Sequence, residues 1–224
     1  MMSENPFDTR FREYDVWFDT NANVFASELL AVRELLPKPG RWIEVGVGSG
    51  RFAEALGIPV GVEPAEGIAS LARERGVEVV RGRAEALPLE DGSVDALFLI
   101  TSLCFVREME RAFAEVARVL VPGGEAIVAF LPSDSPFGAL YTGGGTDDPF
   151  FARAFLRPRA EVIDALQATG LTVDRAVHTL TTEVARANDA VEAPSPGWER
   201  GSFVVVRAVK GSPPSEDRTG ERRS

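Results

Sequence analysis

The chain has one cysteine, Cys104, and one histidine, His178, in 224 residues. A single cysteine excludes an internal disulfide framework and any zinc or iron–sulfur site built from several thiolates. A single histidine excludes a catalytic histidine pair and a histidine-rich metal site, so we expect no metal centre. Basic residues are also few relative to acidic ones, because the formal net charge is −10. This charge disfavours nucleic acid and anionic membranes as partners.

Long apolar runs are absent as well. The first ten residues contain no apolar stretch of signal-peptide length, and no window approaches the length of a membrane span. We therefore expect a cytoplasmic protein without membrane association. The hydrophobic content of 45% and the charged content of 26% are those of an ordinary globular chain, long enough for one α/β domain. The sequence gives no indication of an oligomeric state.

Short apolar segments alternate with helical patterns along the middle of the chain. The predicted strands are 41–46, 58–63, 77–82, 93–101 and 122–131, and the predicted helices are 49–57, 66–76 and 108–120. Such alternation predicts a parallel sheet with helices on both faces. A further helix at 159–170 precedes two strands, 171–180 and 201–210, which suit an antiparallel pair at one edge of the sheet.

The ends of the chain and one internal segment break this rhythm. We predict an N-terminal helical lid over residues 1–36, in which Phe25, Leu29, Val32 and Leu36 recur at helical spacing, and a main domain over 37–210. Residues 131–157 form a long Gly-rich, aromatic insert with few helix or strand signals, a kind of segment that is usually functional or disordered. Residues 211–224 have the composition of a disordered tail.

Gly46, Gly48 and Gly50 form a G-x-G-x-G turn between the first strand and its helix. A dinucleotide-binding turn needs a small residue where this chain has Arg51, and no Gly-Lys-Ser/Thr follows as a phosphate-binding Walker loop requires. Glu44, at the end of the strand, would repel a pyrophosphate and attract an ammonium group. The helix N-terminus after the turn favours an anion. The turn therefore suits a zwitterion such as an amino acid head group.

The second strand ends in another carboxylate, Glu63. An acid in this position accepts hydrogen bonds from ribose hydroxyls. A ribose together with an amino acid head group describes S-adenosylmethionine.

Four segments in unbroken order over residues 40–130 resemble the successive motifs of class I S-adenosylmethionine-dependent methyltransferases. They are IEVGVGSG, VGVEP, GRAEALPLEDGSVDALFLITSL and ARVLVPGGEAIVAF. They are most similar to the small-molecule, type 11 branch, which includes quinone-biosynthesis methyltransferases. The resemblance implies a Rossmann-like, doubly wound seven-stranded sheet with strand order 3-2-1-4-5-7-6, in which strand 7 is antiparallel.

The resemblance also implies which residues contact the cofactor. They are Glu44, Gly46, Gly48 and Gly50 around the methionine moiety, Glu63 at the ribose, Pro64 beside the adenine, Ala84, Glu85 and Leu87 lining the adenine, and Thr101 and Ser102 facing the sulfonium.

Two positions depart from the family pattern. Arg83 occupies a position that is usually acidic, and it cannot accept a hydrogen bond from the adenine amino group, so Glu85 or a backbone carbonyl would have to do so. Cys104 and Phe105 stand where relatives often have a histidine pair, so the acid–base function of that pair would be absent. Cys104 is itself expected to be a small buried residue rather than a nucleophile, and His178 to be structural or exposed.

The acceptor side of the site carries fewer signals. Tyr14, Trp17 and Phe18 in the lid and Tyr141 in the insert are predicted to form the substrate pocket, although the same aromatics could be ordinary core. A general base, if one is used, would come from a carboxylate. The candidates are Glu13, Asp19, Asp134 and Asp147.

The predicted function is methyl transfer from S-adenosylmethionine to a small molecule. The fourth strand is followed by TSLCFV and not by the [N/D]-P-P-[Y/F] motif used for amide and adenine nitrogens. Two alternatives stay open at this point. An NAD-dependent oxidoreductase is weakened by Arg51 and by the lack of a Tyr-x-x-x-Lys pair. A catalytically silent protein that binds S-adenosylmethionine is compatible with Arg83 and the missing histidines.

Overall fold

A computed structural model describes residues 5–142 and 148–211 of the chain. Within these residues the centre of the protein is one eight-stranded sheet. In chain order its strands are β1 (Trp42–Val45), β2 (Val60–Glu63), β3 (Glu78–Arg81), β4 (Val94–Ile100), β5 (Leu120–Phe130), β6 (Leu171–Thr179), β7 (Ser195–Pro196) and β8 (Phe203–Lys210).

The strands lie in the order β3-β2-β1-β4-β5-β8-β6-β7. The first five pair in parallel, and β8 pairs antiparallel with both β5 and β6. When the two-residue strand β7 is left out, this is the predicted order 3-2-1-4-5-7-6 with its antiparallel last strand. The expected α/β Rossmann-like fold is therefore confirmed. β7 was missed because a two-residue strand has no periodicity to detect.

Helices cover both faces of the sheet. They are α1 (Pro6–Thr9), α2 (Phe11–Thr20), α3 (Ala22–Glu34), α4 (Arg51–Leu56), α5 (Glu66–Glu74), α6 (Met109–Val119), α7 (Pro136–Thr142) and α8 (Arg159–Ala168). Single 3-10 turns occupy Leu103–Phe105, Phe151–Arg153 and Val184–Arg186. No helix in the described part of the chain is both long and apolar enough to cross a bilayer.

The sheet separates two apolar cores. Along β4, Leu97 and Leu99 belong to the core that also contains Phe113 of α6. Phe98 and Ile100 point to the opposite core. This alternation follows from the two-residue period of a strand, and burial on both faces explains why β4 reads as a continuous apolar run.

Two expectations need correction. The segment 131–157 is not without helices, since it contains α7 and a 3-10 turn. The predicted apolar stripe of the third helix is also incomplete. Phe25, Leu29 and Leu36 are only partly buried, whereas Val24, Glu28, Ala31 and Leu35 are buried. The helix is covered on two sides, so a single-stripe model underestimates its buried surface. Of the predicted tail 211–224, residues 212–224 lie outside the described residues.

Candidate active site

The glycine turn after β1 has the backbone conformation that its sequence requires. Gly46, Gly48 and Gly50 all have positive φ angles, of 72°, 54° and 82°, a region that favours glycine. A Cβ atom on Gly46 would lie 2.4 Å from the Cβ atom of Ser102, so the turn also approaches the end of β4 closely. The turn leaves a bare backbone surface at the carboxyl ends of β1 and β4.

Glu44 lies on β1 directly before this turn and is 2% exposed. Its Oε2 atom is buried without a hydrogen-bond partner among the described residues. Burial and the nearby Glu63 raise the pKa of Glu44 well above its ordinary value of 4.5, and the backbone amide of Ala53 offsets this only in part. A buried carboxylate oxygen of this kind is costly when it is unpaired and suits a ligand cation.

Glu63 ends β2 on the other side of the turn. Its Oε2 accepts a hydrogen bond from the backbone amide of Gly48 at 3.1 Å, and its Oε1 accepts one from Ala65 at 3.0 Å. Each carboxylate oxygen keeps a second lone pair. Burial raises the pKa of Glu63 despite these two bonds. The carboxylate therefore holds the turn in place and can still accept hydrogen bonds from ribose hydroxyls.

Thr101 and Ser102 follow β4 and link the turn to a neighbouring cavity. Thr101 has a φ angle of 52°, which is unusual for a β-branched residue and marks a strained backbone. The Ser102 hydroxyl donates a hydrogen bond to the Val45 carbonyl at 2.7 Å. Thr101 faces a cavity on the other side. These two adjacent residues thus separate the glycine turn from the cavity.

The residues expected around an adenine lie after β2 and between β3 and β4. Ala84 and Leu87 are buried, and Pro64 is exposed. The backbone amide of Leu87 donates to Glu115 Oε2 at 2.7 Å, which fixes this loop on α6.

Arg83 and Glu85 differ in their surroundings. Arg83 is exposed, whereas Glu85 is half-buried. Glu85 Oε1 accepts a hydrogen bond from the backbone amide of Arg107 at 3.3 Å, so its other oxygen is available to a ligand. Of the two side chains, only Glu85 can accept a hydrogen bond from an adenine amino group.

Helix α1 lies beside the turn, in contact with the 3-10 segment after β4 and with the start of α5. The Asp8 carboxylate accepts a hydrogen bond from the Gly67 amide at 3.1 Å. The Phe7 ring contacts the ring of Phe105 at 5.0 Å between centroids and that of Tyr14 at 5.3 Å. The N-terminal helices thus contact both sides of the crevice above the turn.

The contacts of Arg51 explain why the chain departs from the dinucleotide pattern at this position. Its guanidinium donates to Asp15 at 2.9 Å and to Asp19 at 2.8 Å, two carboxylates one helical turn apart on α2. Burial opposes ionisation of Asp15, but hydrogen bonds from Arg51, Ser49 and Arg75 lower its pKa to about 2. The bulky residue therefore turns away from the β1–α4 packing and fastens α2 to the start of α4.

A cavity of about 120 Å³ lies beside Thr101. Its walls are aromatic side chains, one leucine, Thr101 and three carboxylates. The aromatic residues are Tyr14, Trp17, Phe18, Phe137, Tyr141, Phe150 and Phe151. The structure brings together all four aromatics that were predicted for the substrate pocket. Tyr141 stacks on Phe151 with 3.9 Å between ring centroids, which closes one side of the cavity.

One carboxylate of this cavity, Glu28 of α3, was not predicted. It is 3% exposed, and burial raises its pKa to about 8. No hydrogen bond or ion pair reaches it from the described part of the chain. The sequence feature that could have indicated its burial is the helical spacing of Val24, Glu28, Ala31 and Leu35, which places Glu28 within a buried stripe. A glutamate in a helix is ordinarily interpreted as solvent-facing, so the sequence did not single it out.

The four carboxylates proposed as general bases are placed differently. Glu13 lines the cavity but pairs with Arg10 at its exposed edge. Asp19 is bound to Arg51, and Asp134 is bound to Arg159 beside a second cavity near β6. Asp147 lies outside the described residues.

Cys104 and His178 have structural surroundings. Cys104 is buried, burial raises its pKa to about 12, and its thiol donates to the Thr101 carbonyl at 3.2 Å. A thiol with such a pKa is not a nucleophile at neutral pH. His178 is buried on β6 with Nδ1 3.1 Å from the Gly197 carbonyl, and it does not line the cavity beside Thr101.

Comparison with known proteins matches the same region of the chain. A family profile described as "Methyltransferase domain" matches residues 43–128. An uncharacterized protein of Methanocaldococcus jannaschii is 34% identical over 92% of this chain and 99% of its own. The malonyl-[acyl-carrier protein] O-methyltransferase of Methylococcus capsulatus is 35% identical over 50% of this chain and 44% of its own.

A solved structure from Thermotoga maritima extends the likeness to almost the whole chain. It is described as a SAM-dependent methyltransferase and a "possible histamine N-methyltransferase". It is 38% identical, covers 91% of this chain and 97% of its own, and superposes with a TM-score of 0.85.

Proposed function

The chain belongs to the S-adenosylmethionine-dependent methyltransferases, and we propose that it transfers a methyl group in line to a small-molecule acceptor held in the cavity beside Thr101. The observation that carries this proposal is the position of that cavity. Thr101 forms part of its wall, and the adjacent Ser102 contacts the glycine turn. An acceptor in the cavity would therefore be separated from the cofactor crevice only by the Thr101–Ser102 segment.

The cofactor residues that we propose are those expected from the sequence. Glu44 would pair with the ammonium of the methionine moiety, because it is buried with an unpaired oxygen. Glu63 would accept the ribose hydroxyls. Ala84, Glu85 and Leu87 would line the adenine, with Pro64 at its exposed side. The bare backbone of the turn and its strained neighbour Thr101 suit a ligand that approaches the main chain closely.

The cofactor, when bound, supplies a methyl group on a positively charged sulfur that leaves as a neutral thioether. The protein then has mainly to position the acceptor and to exclude water. The aromatic walls of the cavity serve both purposes, because they leave an acceptor few orientations and little solvent. We propose that α1 and α2 act as the lid predicted for residues 1–36, since Asp8 and Arg51 fasten them to either side of the turn.

The small volume of the cavity supports a small acceptor. The description of the Thermotoga maritima protein names histamine, which belongs to the same size class. Membership of the methyltransferase family sets aside the oxidoreductase alternative. A turnover assay decides between a catalyst and a protein that only binds the cofactor.

The test separates the two halves of the site with two variants. Glu63→Ala removes a charged acceptor from the ribose, so we expect S-adenosylhomocysteine to bind more weakly by about 1–3 kcal/mol in calorimetry. Tyr141→Ala opens the cavity and leaves the turn intact, so we expect unchanged S-adenosylhomocysteine binding and reduced turnover. Turnover is measured as S-adenosylhomocysteine formed with a panel of amine, thiol and quinol acceptors.

Three results would contradict the proposal. Unchanged S-adenosylhomocysteine affinity in Glu63→Ala would show that the cofactor site is wrongly assigned. Full acceptor turnover in Tyr141→Ala would show that the acceptor does not occupy this cavity. Absence of turnover with every acceptor, together with tight cofactor binding, would favour the catalytically silent alternative.

A further inference from the structure

Glu28 is the innermost charged group of the cavity beside Thr101. The other two carboxylates there have partners, since Glu13 pairs with Arg10 and Asp148 accepts hydrogen bonds from the backbone amides of Phe150 and Phe151. Glu28 lines the cavity at 3% exposure, and its carboxylate has no hydrogen bond or ion pair within residues 5–142 and 148–211. A buried carboxylate in this state is costly unless a ligand supplies its partner.

The rest of the cavity has the chemistry of a cation site. None of the described residues that line it is a lysine, an arginine or a histidine. Seven of them are aromatic, and an aromatic face attracts an ammonium group. An acceptor that carries a carboxylate or a phosphate would find no cationic partner among these lining residues. A phenol or a thiol can donate a hydrogen bond to Glu28 but brings no positive charge to it.

We propose that the methyl acceptor is a primary or secondary amine that enters as its ammonium ion and pairs with Glu28 against the aromatic wall. The inference rests on the proposed function and specifies the acceptor of the same site. It assigns Glu28 two tasks, binding the ammonium and then receiving its proton.

The second task follows from the nucleophile that the reaction needs. An ammonium nitrogen has no free lone pair, so one proton must move from the nitrogen to the Glu28 carboxylate. The neutral amine then forms the C–N bond with its lone pair, while the C–S bond breaks and its electron pair goes to sulfur. The product leaves as an N-methylammonium ion, and the proton on Glu28 passes to solvent before the next cycle.

Burial of Glu28 makes this proton transfer less costly. An alkylammonium such as a lysine has a pKa near 10.4, so transfer to an ordinary glutamate is disfavoured by a factor of about a million. Burial raises the pKa of Glu28 to about 8 in the empty site, which reduces the factor to a few hundred before the charge of the bound ammonium is counted. The ionisable groups that face it are Tyr14 and Glu13 from α2, Tyr141 from α7, and Asp148. None of these is a cation that would keep Glu28 ionised.

The test uses the full chain saturated with S-adenosylhomocysteine and matched ligands that differ in charge. Benzylamine, benzyl alcohol and phenylacetate share an aromatic ring, and ethylamine with ethanol forms a smaller pair. By calorimetry near neutral pH we expect each amine to bind at least tenfold more tightly than its alcohol, and phenylacetate to bind most weakly. With S-adenosylmethionine, mass spectrometry should detect the N-methylated amine.

Glu28→Gln retains the shape of the side chain and removes its charge. We expect this variant to lose the preference for amine over alcohol. Its kcat/KM for the amine should fall at least 100-fold, with most of the loss in kcat. The decrease of kcat/KM at basic pH that the wild type shows should also be lost. The matched control is Glu125→Gln on β5, where another carboxylate oxygen is buried without a described partner, outside this cavity. This control should retain the amine preference.

Equal binding of amines and alcohols by the wild type would overturn the inference. An amine preference that survives in Glu28→Gln would overturn it as well. Methylation of benzyl mercaptan but not benzylamine would also overturn it and leave the proposed function intact. If the wild type failed to bind S-adenosylhomocysteine at all, the proposed function itself would fail.

Discussion

Replacing Glu28 by glutamine should change how the stability of the protein depends on pH. Burial raises the pKa of Glu28 from 4.5 to about 8 in the folded protein. Between these two values the unfolded chain has lost the proton that the folded chain still binds. The free energy of unfolding of the wild type therefore falls as pH rises through this window. The contribution is fully present below pH 4.5 and is lost above pH 8.

The expected magnitude follows from the size of the shift. A shift from 4.5 to about 8 corresponds to about 5 kcal/mol over the whole window. Between pH 5 and pH 8 the wild type should lose about 3–4 kcal/mol relative to Glu28→Gln. Urea unfolding of both proteins without cofactor, at intervals across this range, gives the difference directly. The offset caused by burying a glutamine cancels, because it does not depend on pH.

The cause of the shift adds a second check. The pKa of Glu28 is raised by burial and not by a neighbouring charge. Salt screens interactions between charges but leaves the cost of desolvation almost unchanged, so the difference should persist in about 0.5 M NaCl. Parallel pH curves for the two proteins would refute the reasoning, because they would mean that solvent reaches Glu28 freely.

Two further predictions concern the glycine turn and the N-terminal helices. Burial and Glu63 raise the pKa of Glu44 well above its ordinary value, so an ammonium partner should drive this carboxyl group to ionise. Binding of S-adenosylhomocysteine should therefore release a proton, which is measured as a binding enthalpy that depends on the buffer. Glu44→Gln should abolish this proton release. Equal proton release in both proteins would contradict this pairing. Arg51→Ala breaks the bonds to Asp15 and Asp19, so it should destabilise α2 by about 1–3 kcal/mol and expose α1 and α2 to limited proteolysis before the sheet is cleaved. The surface variant Arg186→Ala, which removes an exposed pair with Asp189, is the control and should leave the cleavage pattern unchanged.

The sheet and the glycine turn could be predicted because their signals are local. Gly46, Gly48 and Gly50 are needed wherever a chain adopts three positive φ angles in five residues. The apolar run of β4 follows from burial on both faces. Such features depend on a few neighbouring residues, and a single sequence contains them.

The acceptor cavity could be predicted only in part, because tertiary contacts create it. Tyr14 and Tyr141 are 127 positions apart, and both line the cavity. Tyr14 contacts Phe150, and Tyr141 stacks on the adjacent Phe151. The sequence pattern predicts an ordinary polar helix position at Glu28, because only the tertiary structure shows that other elements cover it. Arg51 was interpreted only as a departure from a motif, since nothing near it in sequence indicates that its partners are Asp15 and Asp19.

We propose that the cavity beside Thr101 holds the methyl acceptor, which receives its methyl group from a cofactor bound at the glycine turn. A crystal structure with S-adenosylhomocysteine and benzylamine tests it most directly. We expect the cofactor amino group at Glu44, the ribose hydroxyls at Glu63, and the sulfur beside Thr101, in line with an amine nitrogen bound to Glu28. A sulfur that faces away from this cavity, or an amine bound elsewhere on the protein, would contradict it.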